Sequence, residues 1–122
     1  MAKVLVCDDD PDLRYMIRYF LEKKGITVIE AENGKQAIEA LAGRDFDALV
    51  IDLLMPIQDG YTTVSEVRED NDLKELPIIV LSSLAQEANV LRAFQVGASD
   101  FLKKPFSPEE LYARLSRFLP GI

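Results

Sequence analysis

The sequence predicts an α/β fold built on one open, doubly wound parallel sheet with five strands and five helices. Three observations lead there. Five short apolar runs alternate with longer stretches whose apolar residues follow helical spacing. Runs such as 4–7 (VLVC) and 78–81 (IIVL) are apolar throughout, as strands covered on both faces require. Five strand–helix units are too few to close an eight-fold barrel, so an open sheet with right-handed crossovers is expected.

The elements follow in order. Residues 3–8 (KVLVCD) form a β-branched run ending in acids, a buried first strand. Pro11 opens a helix in its favoured early position, and Leu13, Met16, Ile17, Phe20 and Leu21 keep helical spacing until Gly25 stops it. Residues 26–31 read as the second strand, Asn33-Gly34 as a turn, and 35–42 as the second helix. The third strand, 46–52 (FDALVID), again ends in an acid. A loop over 53–60 carries Pro56 and Asp59-Gly60, and residues 61–70 are read as helical. Residues 77–82 (PIIVLS) form a fourth strand ending in hydroxyls, 86–96 a fourth helix stopped by Gly97, and 98–103 a short fifth strand. Ser107 is a good N-cap, with Pro108 at the first helical position and Glu109 and Glu110 behind it. Leu111, Leu115, Phe118 and Leu119 line this last helix, which Pro120-Gly121 ends.

Composition narrows the function. A chain of 122 residues fits one domain over 1–122, and 48% hydrophobic with 29% charged residues is a globular balance. The net charge of −7 argues against direct nucleic-acid binding and against anionic membrane surfaces. One cysteine allows no internal disulfide, and with neither a signal peptide nor a membrane-length apolar run in view, a cytoplasmic location is expected. Histidine is absent, which removes Ser-His and Cys-His nucleophile pairs and histidine-ligated zinc.

The remaining polar residues cluster by position. Asp8, Asp9, Asp52, Ser82 and Lys104 fall at the C-terminal ends of the first, third, fourth and fifth strands. Open α/β sheets bind ligands outside those ends, where strand order reverses. If the second strand lies outside the first, the three aspartates converge there. Crowded carboxylates need a cation, and oxygen donors suit Mg2+ or Mn2+ rather than zinc. A carboxylate is also a competent nucleophile towards phosphorus, with Lys104 and the Ser82 hydroxyl placed to meet phosphoryl oxygens. Plainer roles are open to each residue alone. Asp8, Asp9 and Asp10 can cap the first helix, Asp52 and Asp59-Gly60 can be turn residues, and Ser82 or Ser83 can cap the fourth helix. Lys104 can be a surface lysine, and Cys7 reads as a small core hydrophobe. The convergence of four strand ends favours the chemical reading.

Those residues sit in segments, VLVCDDDPDLR, DALVIDLLMPIQDG, LPIIVLSS and GASDFLKKPFSPEEL, that resemble response-regulator receiver domains over essentially the whole chain. The resemblance implies a flavodoxin-like sheet of order 2-1-3-4-5. It implies that Asp52 is the phosphoacceptor, and that Asp9, Asp52 and the Leu54 backbone carbonyl ligate Mg2+, with Asp8 acting mostly through a metal-bound water. Lys104 resembles the lysine that contacts the phosphoryl group, joined to Pro105 by a cis bond, with Lys103 as its outward neighbour. Ser82 and Phe101 resemble the switch pair, and Ser83 the small residue that leaves room for the phosphoryl group. Leucine at 54 and 84 cannot orient an attacking water, so a long-lived phosphorylated state is expected.

Such a domain is a signalling module rather than a turnover enzyme, and it performs only its own phosphoryl transfer and dephosphorylation. The implied partners are a histidine kinase or phosphotransfer protein as donor and a downstream protein at the face of the fourth helix, fifth strand and fifth helix. The domain is expected as a monomer or a phosphorylation-dependent dimer, standing alone or cut from a longer regulator. Three rivals fit less well. A phosphate-independent relative would not need the complete acid, hydroxyl and lysine set. A phosphohydrolase of the haloacid-dehalogenase kind needs an acid where Leu54 stands. A flavodoxin-like electron carrier would find the acidic first loop repelling FMN phosphate.

Overall fold

The computed structural model describes residues 2–43 and 45–120. Strands β1 (Lys3–Cys7), β2 (Thr27–Ala31), β3 (Ala48–Asp52), β4 (Ile78–Ser82) and β5 (Asp100–Lys103) alternate with helices α1 (Pro11–Lys23), α2 (Gly34–Leu41), α3 (Gly60–Glu69), α4 (Glu87–Val96) and α5 (Pro108–Ser116). All neighbouring strands pair in parallel in the order β2-β1-β3-β4-β5. The strand order therefore reverses between β1 and β3, and the crevice opens outside their C-terminal ends.

Strand alternation builds a core on each face of the sheet. Leu5, Cys7, Leu49, Ile51, Ile78 and Val80 meet Ala37 and Leu41 of α2, Val64 and Val67 of α3, and Ala93 of α4. Val4, Val6, Val50, Ile79 and Leu81 meet Ile17 and Leu21 of α1 and Leu111 and Leu115 of α5.

Several boundaries differ from the sequence reading, for local reasons. Asn33-Gly34 is no free turn: the Asn33 side chain accepts from the Gln36 N–H at 2.9 Å, and Gly34 is the first residue of α2. Asp59-Gly60 behaves alike, with Asp59 accepting from the Thr62 N–H at 2.8 Å. Gly60 is required by packing, because a Cβ there would strike the Asp52 carbonyl and the Leu53 Cα. Neither Ser82 nor Ser83 caps α4, whose N-cap is Gln86 without a side-chain bond. Ser99 stays outside β5 and is bound to the start of β4, its N–H donating to the Ile78 carbonyl at 2.8 Å and its hydroxyl accepting from the Ile78 N–H at 3.0 Å. A 3-10 turn at Asn71–Leu73 was not anticipated. The expected stop at Pro120-Gly121 falls partly on Gly121, outside the described residues, and α5 ends earlier, at Ser116.

Candidate functional site

β1 and β3 end side by side, which brings Asp8, Asp9 and Asp52 together at the crevice. One carboxylate oxygen from each lies within 4.8 Å of the others. Asp8 and Asp52 are buried and Asp9 is exposed. Oxygen donors so close, two of them buried, fit one small hard cation with its waters, such as Mg2+. Asp10, the next residue, is the N-cap of α1 and accepts from the Asp12 and Leu13 N–H groups. Capping, one of the plainer roles, thus falls to Asp10.

Lys104 enters the crevice from the end of β5, across a cis bond to Pro105. Its Nζ donates to Asp8 Oδ2 at 2.9 Å and lies 3.4 Å from Asp52 Oδ2. Lys103 is exposed, so the inward lysine is the second of the pair. Asp8 is satisfied on both oxygens, because its Oδ1 accepts from the Asp10 N–H at 2.9 Å.

Burial pushes the Asp52 carboxyl up to about 6, against the pull of the Lys104 charge and with added repulsion from Asp8. Burial works against the Lys104 ammonium, but the hydrogen bond it donates to Asp8 and the charge of Asp52 outweigh it and raise its pKa. The Cys7 thiol is pushed up to about 12, first by burial and then by Asp8. Its Sγ is within 3.2 Å of the Asn33 carbonyl and 3.4 Å of Met55 Sδ, a packed and unreactive place.

The remaining candidates surround this centre. Ser82 is buried at the end of β4, and its Oγ accepts from the Leu84 N–H at 2.9 Å. Ser83 is exposed and, with Leu13, Met16, Pro105 and Phe106, lines a cavity beside Lys104. Phe101 is half-buried and borders a groove with Val90, Glu110 and Arg114. Leu54 is half exposed at the crevice mouth, and its backbone N–H dipole favours the ionised form of Asp52.

Two residues of the neighbourhood escaped the sequence reading. Arg14 is buried, donates to the Asp8 carbonyl at 2.6 Å and pairs with Glu30 at 2.8 Å. Its signal was available: Arg14, Ile17 and Leu21 share the buried helical spacing of α1, an odd place for a charge. Glu30, on β2, carries no such mark, because it sits among the polar residues at the end of its strand.

A doubly wound parallel sheet with a carboxylate crevice and an inward lysine at its switch point defines a class of α/β proteins suited to a divalent cation and phosphate oxygens. The chain belongs to the response regulator receiver domain family, whose profile matches residues 4–116. The transcriptional regulatory protein ResD of Bacillus subtilis is 38% identical over 118 residues, covering 97% of this chain and 48% of ResD. RprY of Bacteroides fragilis is 36% identical over 96% of this chain and 49% of its own length. The chain thus spans about half the length of the curated relatives it matches. The chemotaxis response regulator CheY4 of Vibrio cholerae superposes with a TM-score of 0.92 at 34% identity, covering 98% of this chain and 99% of that one. The receiver domain of a sensor histidine kinase from Pseudomonas aeruginosa, with magnesium coordinated in its cleft, superposes with a TM-score of 0.88 at 30% identity over 96% of each chain. Among the described residues, no helix is long and apolar enough to cross a membrane.

Proposed function

We propose that this chain is a phosphoacceptor domain of a two-component or phosphorelay pathway, phosphorylated on Asp52 with Mg2+ and signalling through the surface of α4, β5 and α5. The observation that carries the reading is the meeting of Asp8, Asp9, Asp52 and Lys104 at one crevice. A carboxylate oxygen of Asp52 attacks phosphorus, the bond from phosphorus to the donor's imidazole nitrogen breaks, and that nitrogen keeps the electron pair. Asp52 needs no general base, since above its pKa of about 6 it is already ionised. Asp9, Asp52 and the Leu54 carbonyl would hold Mg2+ directly and Asp8 through water, in keeping with Asp8 oxygens already engaged by Lys104 and Asp10. Bound Mg2+ supplies positive charge to the transferring phosphoryl oxygens. Lys104 leaves its contact with Asp52 to meet the same oxygens.

The buried Ser82 hydroxyl is the switch. It releases the Leu84 N–H to reach the phosphoryl group, Phe101 turns into the freed space, and Ser83 leaves room for the phosphate. The altered face presents the groove of Val90, Phe101, Glu110 and Arg114 to a downstream protein. The donor is a histidine kinase or phosphotransfer protein, and the setting is cytoplasmic. Direct contact with nucleic acid or membrane is not part of this reading. Any DNA contact would come through another domain, such as those of the longer transcriptional relatives. The domain works as a monomer or as a dimer formed on phosphorylation.

Incubation with acetyl phosphate and Mg2+, followed by intact mass, tests the proposal. The wild type gains the mass of one phosphoryl group, labile to acid and base, and Asp52→Asn gains nothing. With leucine at 54 and 84, phosphate loss is slow and quickens when Leu54 is replaced by a polar residue. Absence of the adduct in the wild type sinks the reading.

A further inference from the structure

We infer that Arg14 is a positioning residue for the cation pocket: its guanidinium anchors the Asp8 carbonyl and, through the peptide joining Asp8 to Asp9, sets the direction in which the Asp9 side chain leaves the backbone toward the pocket. The inference rests on the reading of Asp8, Asp9 and Asp52 as a divalent-cation site.

Arg14 lies on the inward face of α1 and is 8% exposed. A guanidinium so buried needs acceptors. Its Nη1 donates to the Asp8 carbonyl at 2.6 Å and its Nε to Glu30 Oε1 at 2.8 Å. The other Glu30 oxygen accepts from Arg18 Nη1 at 3.1 Å, and Arg18 is held by Glu22 at 3.2 Å. Burial would raise the Glu30 pKa, but the bonds from Arg14 and Arg18 outweigh it, and the group titrates below the usual carboxylate range. Glu30 stands opposite Val6 in the β1–β2 pairing, so the anchor is tied to the sheet itself.

The three acids are held unequally. Asp8 is fixed at both carboxylate oxygens and at its carbonyl. Asp52 is buried and faces the Lys104 ammonium at 3.4 Å. Asp9 is exposed, and among the described residues no donor engages its carboxylate. The direction of its Cα–Cβ bond comes from the backbone. A peptide unit is planar and rigid, so the Asp8 carbonyl oxygen fixes the plane that carries the Asp9 nitrogen and Cα. The unit after Asp9 is anchored as well, by the Asp10 N–H on Asp8 Oδ1. With both flanking planes held, one by Arg14 and one by Asp8, the Asp9 side chain leaves the chain in one direction.

Arginine is required because two nitrogens of one planar fork serve Glu30 and the carbonyl at once, and lysine offers a single nitrogen. A rival account makes Arg14 a counter-charge that eases carboxylate crowding. The two accounts differ in sign. If Arg14 positions, both Arg14→Lys and Arg14→Met loosen Mg2+. If it only supplies charge, Arg14→Lys is neutral and Arg14→Met tightens Mg2+ by leaving the pocket more negative.

The experiment is calorimetric titration of Mg2+ into the full chain and its Arg14→Lys, Arg14→Met and Glu30→Gln variants at neutral pH, with metal-free thermal unfolding of each. The expected result is roughly tenfold weaker Mg2+ binding in both Arg14 variants, and a smaller loss in Glu30→Gln, which keeps an acceptor without the charge. Wild-type affinity in both Arg14 variants, with only lowered melting temperatures, overturns the inference, as does tightening in Arg14→Met. Where the Arg14 variants do not fold, Glu30→Gln decides, and wild-type affinity there overturns it. A wild-type chain that binds no Mg2+ overturns the cation-site reading together with the inference, which separates the two failures.

Discussion

On the β1 side of the crevice, α1 buries Arg14, Ile17 and Leu21, and the Asp10 side chain caps it through two backbone N–H groups. On the β4–β5 side, α4 buries Ala93 alone, exposes Leu91 and Phe94, and starts at Gln86 without a side-chain cap bond. The first flank carries Asp8 and Asp9, whose geometry must hold to fractions of an ångström for a cation. The second borders Ser82 and Phe101, which must have two arrangements for the proposed switch to work. Sparse burial makes a second arrangement of α4 cheap, and a phosphoryl group can shift an equilibrium only by its differential affinity for the two states. Dense and sparse burial thus flank one crevice, with Lys104 reaching from just beyond β5 to Asp8 and Asp52.

The largest effect expected from this division is on stability. Leu21→Ala, at a site 1% exposed, removes core contacts and costs about 3 kcal/mol. Leu91→Ala, at a site 52% exposed, changes stability by less than about 0.5 kcal/mol. Urea denaturation measures both, and native-state hydrogen exchange should find α4 amides opening below the global unfolding energy while α1 amides require it. Equal protection in the two helices would break the comparison.

A smaller effect concerns Asp52 without metal. Its folded pKa, about 6, lies above the ordinary value of 3.8, so between those pH values the folded chain binds more protons than the unfolded one. Stability therefore falls as pH rises through that window, and the full cost is present at neutral pH. Asp52→Asn should stabilise the metal-free protein near pH 7 by about 1 kcal/mol after screening at the pocket mouth, and the gain should vanish below about pH 4. For the same reason, Mg2+ affinity in the wild type should drop as pH falls through about 6, because the ligand must be deprotonated. Melting curves over pH with and without Mg2+ check both statements. A pH-independent difference between wild type and Asp52→Asn would refute them.

Much of the fold and of the candidate site was legible in the residues alone. Strand ends are marked by a change from apolar to polar residues, so the places of Asp8, Asp9, Asp52, Ser82 and Lys104 followed from pattern. Asn33-Gly34 and Asp59-Gly60 were misread because the side-chain acceptor that makes a turn also makes an N-cap, and only tertiary packing chooses. The glycine after each is needed for close approach, not for a left-handed turn: Gly34 packs against Thr63 and Gln58, and Gly60 against the end of β3. Arg14 is marked by its charge inside the apolar spacing of α1, but its pairing with Glu30 stayed hidden because the partner lies on β2 and pairing register is not written locally. The sparse burial of α4 was hidden for the converse reason. Its sequence has helical spacing, yet the sheet beneath it offers one buried contact site.

The smallest effect sits in the loop between β3 and α3, at the mouth of the crevice between the two flanks. Ile57 has φ +71, and the Gln58 N–H donates across it to the Pro56 carbonyl at 2.7 Å, forming a γ-turn with positive φ at its centre. A β-branched residue is strained in that region by about 1–2 kcal/mol, and at 78% exposure the side chain gains almost no burial in return. Ile57→Gly removes the strain but gives the unfolded chain more freedom, at a cost of about 0.5–1 kcal/mol. The net gain should be about 0.5 kcal/mol, read as a shift in the urea midpoint with unchanged slope. Because the loop belongs to neither flank, the hydrogen-exchange contrast between α1 and α4 should survive the substitution. A loss of stability in Ile57→Gly would mean that the isoleucine is held by contacts worth more than its strain, and that the mouth of the crevice is part of the rigid half.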